Sequence, residues 1–239
     1  MNDKQADGTS SSICGGIGKA SYSPAKWKIL VLCLLSALGN VMLSYAVNGL
    51  SGIPLYLDTV FTAAMCFCAG IVPAILAGVL FPPLLTVIKY KYLLDLPVET
   101  GLMVNFFSLC VLLEIFLVYF FYKKIKSRED VFLSKIARKE PLLHSFIGVA
   151  TQLLVLAAID CIAISIMGGI IDFATSLFSA PRAFYPEDTF KLGLLRNNMP
   201  ILAANILSRI PINIVDRFIV VFGGYGTSLL YRKWLVAKN

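Results

Sequence analysis

Charge is scarce in this chain. Asp, Glu, Lys and Arg make up 15% of its 239 residues, where a soluble domain carries about 25%. There is one histidine, His144, and no convergent His/Asp/Ser set or metal motif accompanies it. The six cysteines, Cys14, Cys33, Cys66, Cys68, Cys110 and Cys161, show no zinc spacing and no disulfide framework. Most lie inside apolar runs, as small packing residues do. A nucleotide loop is missing too. "GGIGKAS" lacks the first glycine at the right distance, has Ala20 where Ser or Thr is needed, and follows no strand. These absences argue against a membrane enzyme, so no catalytic residues, metal or cofactor are expected. Any dependence on ATP must come from a partner.

Apolar sequence is abundant instead. Hydrophobic residues make up 58% of the chain and the mean hydropathy is +0.79. Ile29–Val47 and Thr59–Ile88 carry no charge at all, and runs of about 18 or more such residues are candidate membrane spans. The composition predicts an all-α, polytopic membrane protein of about six transmembrane helices. Its net charge of +7 therefore reads through its distribution rather than as a nucleic-acid footprint.

Residues 1–25 are polar and rich in Ser and Gly, and are expected to form a disordered cytoplasmic tail. The transmembrane domain is expected over 26–233, with a short cytoplasmic tail over 234–239. Its first span runs about Trp27–Val47. Residues 55–91 are too long for one span at ~1.5 Å per residue across ~30 Å. They divide into spans of about 55–72 and 74–91, with a tight turn at Gly70–Pro73. Pro82 and Pro83 should kink the latter. A fourth span covers about Gly101–Tyr122, followed by the charged loop "KKIKSREDVFLSKIARKE" (123–140). A fifth covers about Leu142–Met167. After a polar segment, "NMPILAANILS" reads as a short interfacial helix, and the last span covers about Ile210–Tyr231. With six spans, fourteen of the twenty-one Lys and Arg lie on the side of the termini. The positive-inside rule then puts both termini in the cytoplasm.

This topology gathers polar groups at the outer face. Asp58 and Thr59 open the second span. Arg209, Asn213, Asp216 and Arg217 lie near the start of the last. Tyr45 and Asn48 end the first span, and Asn105 is about one turn into the fourth. Intramembrane ionisable groups are costly and mark sites or pairs, so a solute pocket is one reading. In the other reading, Asp58 caps a helix and the aspartates pair with Arg209 and Arg217. Adjacent Asp216 and Arg217 point to different faces of a helix, so at least one needs another partner. Glu114 and Asp160 are mid-membrane acids, read either as a proton relay or as a structural pair. Small residues recur at Gly70, Ala74 and Gly78, at Cys33 and Ala37, and at Gly223, Gly224 and Gly226. Such faces allow close helix packing or partner docking.

"PLYLDTVFTAAMCFCAGIVPAILAGVL" and "INIVDRFIVVFGGYG" resemble a pattern in the S components of energy-coupling-factor transporters and related membrane sensor domains. The pattern is Asp-Thr opening the second span, a Gly-x-x-Pro-like turn, a small-residue third span, and a last span entered through a Pro and an acidic residue. The resemblance covers most of 27–233 in layout and these two stretches in motif. It implies a subunit of the bacterial cytoplasmic membrane that captures a vitamin-like solute at its outer face. A transmembrane coupling subunit and two ATPases would drive uptake. Asp58, Thr59 and Asp216 carry over to the solute site, and Cys33 and Ala37 stand where the family docks its coupling subunit through Ala-x-x-x-Ala. The alternative is a sensor input module, which normally leads into an output domain; this chain stops seven residues after Arg232.

Overall fold

The computed structural model describes residues 26–51, 55–81, 105–137, 143–177 and 186–236. Among them there are seven helices and no strands: the chain is an all-α membrane-type bundle. α1 (Lys26–Ser44) continues in π-helical turns to Leu50. α2 (Val60–Ala69) and α3 (Ile71–Ile75, continuing to Leu80) are short. α4 (Ser108–Ala137) follows a single 3-10 turn, and α5 (Leu143–Ser176), α6 (Pro186–Arg196) and α7 (Ile201–Val236) complete the fold. α1, α4 and α5 are each long and apolar enough to cross a membrane. Their exposed faces are oily, as at Leu30, Leu34 and Leu38 on α1 and Leu154, Ile162 and Ile166 on α5.

α2 is the centre of the bundle. It is apolar around almost its whole circumference, and all of Thr62–Phe67 is buried. A helix apolar on every side belongs in an interior. At ten residues it measures ~15 Å, too short for the full span expected of 55–72. Gly70 ends it at φ +93°, a conformation that only glycine adopts readily. α3 then doubles back, and a Cβ at Gly78 would lie 2.5 Å from the Thr62 methyl carbon. The expected turn is therefore present, but it is made by Gly70 alone. Pro73 sits in the first turn of α3, where its missing N–H costs nothing. Pro82, Pro83 and the rest of the expected third span lie outside the described residues, as do residues 1–25.

Side chains from other helices cap this short central element. The Asn40 carboxamide of α1 accepts from Phe61 N at 2.9 Å and donates to Thr62 Oγ1 at 2.8 Å. At the other end Arg232 of α7 donates to the Phe67 carbonyl at 2.9 Å and pairs with Glu129 at 2.5 Å. A cation suits a helix C-terminus. Asn40 is itself buried, so Asn40→Leu leaves the Phe61 N–H and the Thr62 hydroxyl unpaired. A loss of about 1–3 kcal/mol in stability is expected, read as a lower thermal midpoint in detergent. An unchanged midpoint would show that α2 holds without this cap.

Three boundaries differ from the sequence reading. Residues 123–137 continue α4 as helix rather than forming a loop, because Lys, Glu, Arg and Leu favour helix and no Gly or Pro interrupts them. α5 runs nine residues past Met167. The expected interfacial helix and the last span are one helix, α7, with Pro211 inside it and its end at Val236, beyond the boundary expected at 233. Cys33 and Ala37 are corrected as well. Both are completely buried, and the Cys33 thiol meets the Pro73 carbonyl at 3.5 Å. Cys33 thus packs against α3, and neither side chain is exposed for docking.

Candidate functional site

The approach to α2 is strained. Leu57 has φ +42°, which is uncommon for a residue with a side chain. It is held there from α7: Leu57 N donates to Asp216 Oδ1 at 2.9 Å. Two residues on, Thr59 Oγ1 accepts from Arg217 Nη1 at 3.2 Å. Thr59 holds the N-cap position of α2, but its hydroxyl makes no cap hydrogen bond. Between these two buried anchors, Asp58 is exposed. It lies within electrostatic reach of Arg217 and Glu114. An acid flanked by two tethered residues is fixed in place at the surface of the bundle.

Beneath it lies an ionic cluster built by three helices. The Arg217 guanidinium folds back onto its neighbour Asp216, using both Nε and Nη2. The same guanidinium's Nη1 meets Glu114 Oε2 of α4 at 2.5 Å and lies 3.8 Å from Asp160 Oδ2 of α5. Asp216 and Asp160 are 0% exposed, Glu114 1% and Arg217 3%. Adjacent residues thus do pair here, because the long arginine stem reverses direction. Each also has the further partner that the sequence demanded. Glu114 and Asp160 were read apart from this site. The structure brings both into it, and only their being acids within apolar runs pointed to them.

The cluster is deeper than expected. Asp216 is 15 residues from the start of α7, or ~22 Å along its axis. A polar seam between α5 and the antiparallel α7 fills that distance. Asn213 donates to Ser165 Oγ at 2.8 Å. One turn further, Arg209 pairs with Asp172 at 2.5 Å and stacks 5.0 Å from the Phe107 ring and 5.9 Å from that of Tyr56. A Cβ at Gly168 would lie 3.0 Å from Arg209 Nη1, so this glycine makes room for the guanidinium. Asn205, buried one turn beyond, completes the row.

Of the expected site residues, Thr59, Asp216 and Arg217 meet directly, with Asp58 beside them and Asn213 on the adjoining rung. Asn105 opens the 3-10 turn that carries Phe107 to Arg209, and is not itself in the cluster. Tyr45 is half-buried on the π-helical end of α1 and does not hydrogen-bond to the cluster. The side chain of Asn48 lies outside the described residues. Among the described residues no group of acids, cysteines and histidine has metal-binding geometry.

Comparison with protein-family models, curated proteins and solved structures finds no match.

Proposed function

We propose that this chain is a solute-binding membrane subunit of the energy-coupling-factor type. It captures a small polar solute beside Asp58 and hands it to a coupling transmembrane subunit driven by two ATPases. One observation carries the reading. The two stretches that resemble S components, some 159 residues apart, are joined by the Leu57–Asp216 and Thr59–Arg217 hydrogen bonds. The joint presents an exposed carboxylate on strained, immobilised backbone. Strain held in place by buried partners is characteristic of binding sites, and rigid backbone reduces the ordering cost of capturing a ligand. In the proposed setting, a bacterial cytoplasmic membrane, both termini face the cytoplasm and Asp58 faces out.

The test is direct. Protein purified in mild detergent is denatured, and released small molecules are identified by mass spectrometry. The solute found is then titrated back by calorimetry. Asp58→Asn removes the charge while keeping the shape, so affinity should fall roughly tenfold or more, the worth of a charge-assisted hydrogen bond at ~1.5–3 kcal/mol. Wild-type affinity in a folded Asp58→Asn protein removes Asp58 from the site. If no solute is released and no coupling subunit co-purifies from native membranes, the transport reading fails.

A further inference from the structure

We propose that Glu114 and Asp160 together form a proton-binding site, sharing one exchangeable proton that enters and leaves along the polar seam between α5 and α7. This does not depend on the solute reading. It starts from a charge count. Glu114, Asp160 and Asp216 face a single cation, Arg217. The neighbouring Arg209 is engaged with Asp172. Among the described residues the buried cluster therefore has two carboxylates more than it has guanidiniums, and exposed Asp58 adds negative potential from the α2 side. Uncompensated charge in such surroundings is neutralised rather than tolerated.

Hydrogen bonding is a second, independent observation. Among the described residues neither oxygen of Asp160 has a hydrogen-bond partner, and neither does Glu114 Oε1. Arg217 cannot supply them. Its Nε and Nη2 are committed to Asp216 and its Nη1 to Glu114 and Thr59. At 3.8 Å, Asp160 Oδ2 is beyond hydrogen-bond distance of Nη1. A proton on either acid removes one excess charge and turns an orphaned acceptor into a donor. Both carboxyl groups flank one guanidinium nitrogen, so a proton on either relieves the repulsion on the other and belongs to the pair. The other described groups facing it are Thr59 and Cys66 from the α2 side, Cys110 of α4, Cys161 of α5 and Asp216 of α7.

The seam supplies the route. Ser165–Asn213 and Asp172–Arg209 are successive rungs spaced four residues along α7, ~6 Å apart. They lead to the end of the bundle where α5 finishes and α7 begins. No bond other than O–H is made or broken: water delivers the proton and takes it back.

Infrared spectroscopy of the purified full chain at neutral pH tests this. The wild type should show a carboxylic-acid C=O band that shifts on transfer to D2O. The band should move in Asp160→Glu and in Glu114→Asp, and vanish in Asp160→Asn if that protein folds. Asn213→Val, which breaks a rung, should slow its deuteration. Absence of the band in the wild type overturns the proposal. So does a band indifferent to both acid swaps, which would belong to a group such as Glu129. If there is no band and sodium or ammonium raises thermal stability, a bound cation carries the charge and the proton site is wrong.

Discussion

Arg217→Met is expected to cost about 3–5 kcal/mol of stability, enough to leave little folded protein after detergent extraction. Removing one partner of a buried ionic group leaves the others uncompensated, and that is the cost measured for such changes. Here one substitution strands Asp216, Glu114 and Asp160 together and frees the Thr59 hydroxyl. The Leu57 amide then depends on an Asp216 carboxylate that nothing orients. Arg217→Lys should fall between, because a point ammonium cannot hold Asp216 through two nitrogens while reaching Glu114 with a third. Monodispersity on size exclusion and the thermal midpoint provide the readout. A wild-type midpoint for Arg217→Met would mean that the cluster does not hold the bundle together.

Gly169→Val should be nearly as damaging for a different reason. A Cβ at Gly169 would lie 2.7 Å from the Ile206 Cα and 2.8 Å from its N, so the obstacle is backbone and cannot turn aside. α5 and α7 would have to separate within one turn of the Asp172–Arg209 pair. Overpacking alone costs about 1–3 kcal/mol, and loss of the adjoining rung adds to it. Gly226→Ala on α7 is the matched control. No described residue lies within 4 Å of its Cβ position, and alanine favours helix over glycine by up to about 1 kcal/mol. It should be neutral or stabilising. Equal midpoints for Gly169→Val and Gly226→Ala would show that the α5–α7 contact is looser than its geometry.

What the sequence determined by itself was the solvent and the helix class. Composition and uncharged run length depend on no long-range contact, so α1, α4 and α5 were legible as long apolar helices. A break at Gly70–Pro73 was also legible, but Pro73 and its missing donor pointed to it, whereas the positive φ of Gly70 makes it and Pro73 lies within α3. The acids Glu114 and Asp160 stood out, but not their association: 46 residues separate them, and helix periodicity carries no information about which helices become neighbours.

Tertiary structure decided the rest. Pro211 reads as a helix start because proline suits the first turn. Proline inside a helix is tolerated where neighbouring helices satisfy the freed backbone groups, so α7 begins nine residues before the expected Ile210 and its polar groups lie deeper. Cys33 and Ala37 are a small-residue face in any reading; whether it meets a partner or α3 depends on where the hairpin folds, and it folds onto α1. Adjacent Asp216 and Arg217 diverge along the backbone, yet they pair because three buried acids surround one flexible cation. In each case local chemistry set what a residue could do, and the packing of distant helices, through burial and competition for a single guanidinium, selected which of those options was realised.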